Sequence, residues 1–532
     1  MTNVKIPQLS WKQKKQEPPP EVMVEPDYEI ITKYTVNEHF SEAKIIRYHD
    51  QSERLYYISS EVGLNHKEKV ALDKLKKIIS KELKPPENKE VKPDKYLVEQ
   101  TDFFVKKYFK SLGKLSEESI EKVKYHLVAD LIGYGPLNVI MDDPQIEDIS
   151  CNGVNMPIYV WHKEFESIPT NIRFTSKIEL NNFIVKLAHK AGKHISSAHP
   201  VLDGMLPENH RLAATFMEEV SPKGSTFCIR KFRKDPISII DMINYGTLNE
   251  RIASYFWLLL ESKMNLMIIG GTGAGKTSLL NAIISLMSLN TKIVTIEEVP
   301  ELNPSLTNWT QLTSRQSFKF GSRDQNQNIT LFDLVKISLR YRPDYIIVGE
   351  VRGEEAYVLF QAIATGHGGL CTLHADGVDH VVKRLTSHPM NVSPIYIPLM
   401  NVVLHVERVK IPGEGSVRYA RRIRNIWEIR EFENYNPVAT WNPRNDEYET
   451  FFDSSFLIRN MAEKLGKDAD ELLDEIDRRA RFLRSLREDS IEDQSDVAEK
   501  ILDYTMMTRN EHELDEPLMM AQSKDELKEE VL

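Results

Sequence analysis

The strongest constraint on this chain is Gly270-Gly271-Thr272-Gly273-Ala274-Gly275-Lys276-Thr277, a complete G-x-x-x-x-G-K-[ST] loop. The apolar run Asn265-Leu266-Met267-Ile268-Ile269 before it reads as a strand. Ser278-Leu279-Leu280-Asn281-Ala282-Ile283-Ile284 after it reads as the start of a helix. In that strand–loop–helix setting, glycines let backbone N–H groups close around phosphates at a helix N-terminus whose dipole favours anions. The residues from Gly270 to Ser278 form the expected phosphate cradle, with Lys276 neutralising charge and the Thr277 hydroxyl as the Mg²⁺ ligand.

A chain of 532 residues is expected to hold several domains. A hydrophobic share of 41% supplies ordinary cores, and 28% charged residues fits a soluble globular protein. The net charge of -10 argues against a nucleic-acid binder that depends on many phosphate contacts. Cys151, Cys228 and Cys371 are scattered without a C-x-x-C pair, so neither a zinc knuckle nor a disulfide scaffold is expected. No apolar run approaches bilayer length, and Met1-Thr2-Asn3-Val4-Lys5 lacks the apolar stretch of a signal peptide. A cytoplasmic protein is expected, held at a membrane by a partner if it works there.

Five regions follow from composition. Residues 1–27, rich in Pro, Gln and Lys, read as disordered. Residues 28–95 read as a small α+β extension and linker. They carry strands at Ala43–Tyr48 and Leu55–Ile58, then a helix with Val70, Leu72, Leu75, Ile78, Ile79 and Leu83 on one side, stopped at Pro85-Pro86. Residues 96–245 alternate helices with strands such as Ile158–Trp161 and Thr226–Arg230, an α+β domain. Residues 246–443 hold the loop and short apolar strands between helices, a doubly wound α/β domain. Residues 444–532 form an acidic helical tail in which Leu472, Leu473, Ile476, Leu483 and Leu486 recur at helical spacing, favouring a packing helix over a partner-binding one. The last twenty or so residues are too polar to fold alone.

A phosphate loop needs a second element for Mg²⁺ and the attacking water. Tyr345-Ile346-Ile347-Val348-Gly349-Glu350 is an apolar strand that delivers Glu350 at its C-terminal end, where ligands sit in an open α/β sheet. Ile293–Ile296 similarly precedes Glu297, Glu298 and Glu301, which read either as support for the metal and nucleophile or as a solvated loop. His367 and His374 are seven apart, which is not helical zinc spacing. They read as buried hydrogen-bonding histidines or, near a γ-phosphate, as sensors of nucleotide state.

Taken in order, these elements resemble the type II/IV secretion-system motor ATPases, which power type IV pili, archaella, type II secretion and some DNA-export machines. Gly270–Thr277 matches the nucleotide loop and Glu297–Leu302 the acidic box. Val348-Gly349-Glu350-Val351-Arg352 matches the unusual second motif, and Thr365–Ala375 is similar to the histidine box. Upstream, Gly133–Leu137, Asp143–Ile149 and Asn152-Gly153 resemble the start of the family's N-terminal domain. Arg211 and Arg230 fall where the family carries phosphate-reaching arginines. The resemblance covers about Gly133 to Val409, and the tail around Arg478–Leu483 inclines it to the archaeal branch. Departures are Glu298 for aspartate, Gly353 for aspartate, and Glu208-Asn209-His210 for the D-G-x turn before Arg211.

The resemblance implies a RecA-like P-loop ATPase domain preceded by an α+β N-terminal domain and followed by a helical tail. It implies an ATP- and Mg²⁺-dependent ring motor, a hexamer as in the family, at the cytoplasmic face of the membrane. Glu350 would order the water, with Glu297, Glu298 and Glu301 in support and Arg211 and Arg230 closing on the phosphates. The implied partners are a polytopic membrane platform protein and, through it, pilin-like subunits. Two alternatives stand beside this reading: a non-hydrolysing nucleotide-gated scaffold, and a DNA-export ATPase.

Overall fold

A computed structural model of the chain describes residues 28–49, 54–84, 93–113, 115–232, 236–315, 328–412 and 417–508. The readings made for residues 1–27, for 85–92 of the linker and for the last twenty residues lie outside the described ones. The chain divides into two compact units: residues up to Leu202 with Ala213–Ile229, and Asp203–Leu212 with everything from Arg230.

The first unit opens with an antiparallel meander, β1 (Tyr28–Asn37), β2 (Ser41–Tyr48) and β3 (Leu55–Glu61). Three helices follow, α1 (His66–Glu82), α2 (Pro93–Tyr108) and α3 (Glu117–Leu131). Asn65 starts α1 with a capping box closed by Glu68, which satisfies two backbone donors at the first turn. Ala71, Leu72, Leu75 and Ile79 of α1 then pack against Phe104, Val105, Val123 and Leu127. Val70 and Leu83 depart from the sequence reading, at 40% and 37% exposure. Val70 lies off the i, i+3, i+4 stripe, and Leu83 sits at the cap beyond the last turn.

The remaining elements of the first sheet region are α4 (Asn138–Asp142), β4 (Ile146–Cys151), β5 (Pro157–His162), β6 (Glu166–Arg173), α5 (Lys177–Lys190), β7 (Val201–Met205), β8 (Arg211–Thr215) and β9 (Thr226–Arg230). They form a nine-stranded sheet ordered β1-β2-β3-β6-β5-β4-β9-β8-β7. Asp143 ties the opening meander to this sheet. Fully buried, it accepts from the Tyr34 and Tyr57 hydroxyls at 2.8 and 2.6 Å and from the Gln145 N–H at 2.8 Å. Burial, then the Asp143 charge, pushes the Tyr57 hydroxyl well above its ordinary pKa.

The second unit contains α6 (Ile239–Asn244), α7 (Glu250–Glu261), β10 (Leu266–Ile269), α8 (Lys276–Ile284), β11 (Ile293–Glu297), β12 (Trp309–Thr313), α9 (Leu331–Ser338), β13 (Tyr345–Val348), α10 (Glu355–Ala364), β14 (Gly368–Leu373) and α11 (Val378–Thr386). It continues with β15 (Val402–Pro412), β16 (Val417–Glu431), β17 (Asn434–Asn442), β18 (Glu447–Thr450), α12 (Phe456–Leu465) and α13 (Ala469–Glu488). Its sheet is also nine-stranded, ordered β12-β11-β13-β14-β10-β15-β16-β17-β18. The first six strands run parallel, and β16 to β18 extend the sheet as an antiparallel meander. This is a RecA-like α/β sheet with the loop strand β10 near its middle.

Strand alternation builds a core on each face. Leu266 and Ile268 enter one cluster with Phe256 and Leu280, whereas Met267 and Ile269 enter the other with Leu359 and Phe360. A parallel strand buried on both faces is apolar throughout, which is why the run before the loop is continuous rather than alternating. The acidic tail belongs to the first cluster through Leu472, Ile476, Leu483 and Leu486 of α13, as a packing helix. Arg479 lies 4.5 Å from the Trp257 ring and pairs with Glu261 and Glu475, each at 2.7 Å. Residues 494–508 form a further helical stretch.

Candidate active site

Because β10, β11, β13 and β14 are parallel, their C-terminal ends share one edge of the sheet. The order β11-β13-β14-β10 sets Glu297, Glu350, His374 and the loop side by side along that edge. Adjacent strands are about 4.8 Å apart, so Glu350 stands roughly 10 Å and Glu297 roughly 14 Å from the loop strand.

The loop turns sharply out of β10. Gly275 caps α8 in a left-handed conformation at φ 90°, which a side chain rarely adopts, and so releases the first N–H groups of the helix. Lys276, only 9% exposed, donates from Nζ to the Gly270 and Gly271 carbonyls at 3.0 and 2.9 Å. Burial lowers its pKa, and the nearby Glu350 and Glu301 charges oppose that shift. Thr277, the second residue of α8, is half-buried. His374 Nε2 lies 3.4 Å from Lys276 Nζ, and burial, then the lysine charge, lowers the imidazole pKa. A neutral ring accepting from the ammonium fits the lowered imidazole pKa.

Glu297 is the deepest carboxylate of the group, 2% exposed. Its Oε1 accepts from the Glu301 and Leu302 N–H groups, both at 2.9 Å, and fastens the acidic turn. Burial raises its pKa to about 7, although those two hydrogen bonds pull the other way. Gly349 runs against it: a Cβ there would lie 3.0 Å from Glu297 Cγ. That contact gives a physical reason for glycine in the second motif. Glu350 follows, half-buried, while Glu298 is ion-paired with Arg352 and Glu301 is exposed.

The histidines separate. His374 leaves the C-terminal end of β14, whereas His367 precedes its N-terminal end, and β14 pairs with β10 through Leu266↔Leu370 to Ile269↔Leu373. The six extended residues of β14 thus carry His367 to the opposite edge of the sheet, where its Nδ1 lies 3.2 Å from the Ala362 carbonyl. The structure does not bring His367 to the loop.

Arg211 and Arg230 stand on β8 and β9 of the other sheet. Arg211 pairs with Asp203, Nη2 to Oδ2 at 3.1 Å, a partner not picked out in the sequence. The turn before it places Glu208 and Asn209 at φ 64° and 62°, so non-glycine residues take the left-handed positions that a D-G-x turn gives to glycine. The sequence reading also missed Arg421 on β16, whose Nε donates to the Gly273 carbonyl at 3.3 Å. Its only signal in the sequence is the basic run Arg418–Arg424.

Among the described residues no cluster of three or more His, Cys, Asp or Glu could hold a metal by itself. Mg²⁺ does not require one, because it is commonly held by one or two protein oxygens together with substrate phosphates. Thr277 and the nearby carboxylates fit that donor set.

A glycine loop at a helix start, with acids and a histidine on neighbouring strand ends, defines a P-loop site on a RecA-like sheet. The chain belongs to the family described as Type II/IV secretion system protein, whose profile matches residues 135–417. MJ0900, an uncharacterised protein of Methanocaldococcus jannaschii, is 36% identical over 403 residues, covering 74% of this chain and 69% of its own. MJ1287, from the same archaeon, is 40% identical over 252 residues, 46% of this chain and 90% of its own. Among solved structures, the Legionella pneumophila ATPase DotB is 19% identical with a TM-score of 0.37, covering 65% of this chain and 84% of that one.

Proposed function

We propose that this chain is a Mg²⁺-dependent ATP-hydrolysing ring motor, hexameric, which powers assembly or rotation of a type IV pilus-like filament, an archaellum or a type II secretion pseudopilus. The observation that carries the reading is the alignment of Lys276, His374 and Glu350 on adjacent strand ends of one sheet edge. ATP is seated with its phosphates on Gly270–Ser278 and its charge met by Lys276. Thr277, together with the phosphates, would hold Mg²⁺, which would supply charge neutralisation at the phosphoryl group. Glu350 orders the attacking water, and Glu297 fixes the turn that carries Glu298 and Glu301. Arg211 and Arg230 meet the remaining phosphate charge within the ring. Cations aimed at charge that grows toward the transition state lower the barrier.

No helix among the described residues is long and apolar enough to cross a membrane. A polytopic platform protein therefore supplies the membrane attachment in this reading, and the motor works at the cytoplasmic face. Steady-state phosphate release with Mg–ATP tests the proposal. Nucleotide binding without release would favour the non-hydrolysing scaffold, and strong stimulation by single-stranded DNA would favour DNA export. Sedimentation with a non-hydrolysable ATP analogue tests the ring, which a persistent nucleotide-bound monomer would contradict.

A further inference from the structure

The arginines of β16 are sorted by the pleat of the strand and by the irregular pairing between Ile423 and Asn425, which leaves Arg424 as an extra residue. Arg422 faces into the fold, buried, and pairs with Asp446 at 2.7 Å while donating to the Tyr245 carbonyl at 2.8 Å. Arg424 is exposed and pairs with Glu407 at 2.7 Å. Arg421 points the other way from Arg422, over the phosphate loop. Besides the Nε donation to Gly273, its Cδ lies 2.9 Å from where a Cβ on Gly275 would be. Gly275 thus serves a second purpose: its bare backbone lets an arginine stem cross the loop just before Lys276. Lys276 and Arg421 approach different carbonyls of the same loop, Gly270 and Gly271 for one and Gly273 for the other.

We propose that Arg421 is a nucleotide-binding residue that clamps the inner phosphates of a nucleoside di- or triphosphate from β16. The assignment rests on the phosphate-loop reading above and adds to it a second cation from the same chain. Backbone N–H groups of such a loop cradle the α- and β-phosphates, and Lys276 reaches the β- and γ-phosphates. Arg421 covers the Gly273–Gly275 stretch and therefore meets the α/β side. A phosphate oxygen carries more charge than a carbonyl, and a planar guanidinium can donate to two such oxygens at once. On nucleotide binding the guanidinium exchanges the Gly273 carbonyl for phosphate.

The test titrates the full chain with fluorescent N-methylanthraniloyl ADP and ATP. Arg421→Ala should weaken both nucleotides alike, by about tenfold or more, the range expected for a lost charge-assisted hydrogen bond. KM for ATP should rise in step, and Arg421→Lys should recover part of the affinity. Arg424→Ala, on the same strand, should leave affinity and turnover unchanged, and equal melting temperatures of the variants exclude misfolding as the cause. Arg421→Ala affinities within about twofold of the parent would overturn the assignment. A loss confined to ATP would also overturn it, because that would place the contact at the γ-phosphate. A parent chain that binds neither nucleotide refutes the phosphate-loop reading itself, whereas a binding parent with an unaltered Arg421→Ala variant refutes only this inference.

Discussion

Glu297→Gln isolates the energy stored in one buried carboxyl. Its native pKa is about 7, against an ordinary 4.5, with burial the leading cause. The folded state therefore holds the proton more tightly than the unfolded chain does. The resulting contribution is complete below pH 4.5 and is lost as pH rises through the native value near 7. At 1.36 kcal/mol per unit, the difference amounts to about 3 kcal/mol. With the side chain 2% exposed, solvent screening removes little of it. Glutamine keeps an oxygen for the Glu301 and Leu302 N–H groups and carries no charge to desolvate. Urea unfolding of the second unit, followed by tryptophan fluorescence, should therefore give parent and variant similar stabilities at about pH 5 and a variant advantage of about 3 kcal/mol at about pH 8. A parent-to-variant difference that stays flat across that range would refute the argument.

Other perturbations reach different parts of the fold. Gly349→Asp sets a second carboxyl against Glu297 Cγ, at the 3.0 Å approach of a Cβ, and should cost about 2–3 kcal/mol in the same unfolding assay, with Gly349→Ala nearer 1 kcal/mol. Arg479→Ala leaves Glu261 and Glu475 without their shared cation and uncovers Trp257. A loss of about 3–5 kcal/mol is expected, read as faster proteolysis within residues 469–508. Asp143→Ala strands the buried Tyr57 hydroxyl, leaves the Tyr34 hydroxyl to His162 Nε2 at 3.4 Å, and should loosen the opening meander by about 1–3 kcal/mol, visible as faster amide exchange in β1 to β3.

Local chemistry made the centre of the site legible. The loop announces itself because glycine spacing, an apolar strand and a helix start are all contiguous in sequence. Glu350 and Glu297 were legible for a related reason: an acid after a buried parallel strand falls at the ligand edge whichever order the strands take. The tail helix was readable because the spacing of Leu472, Ile476 and Leu483 maps directly onto a helix face. Pairing over long distances was not readable. β1 is half-exposed, with no apolar run to mark it, and β16 to β18 take their places from partners rather than from propensity. His367 and His374 look like a pair in sequence, yet the strand between them is long enough to put them at opposite edges. Arg421 is one arginine among several, and only the pleat of β16 distinguishes it from Arg422.

In the proposed mechanism Glu350 readies water beside a nucleotide held by the Lys276 loop. The most direct test of that role is Glu350→Gln, measured for both nucleotide binding and steady-state phosphate release. The proposed role for Glu350 predicts retained affinity for N-methylanthraniloyl-ATP with turnover reduced about a hundredfold or more, the usual contribution of a positioned general base. A folded Glu350→Gln protein releasing phosphate at the parental rate would contradict it.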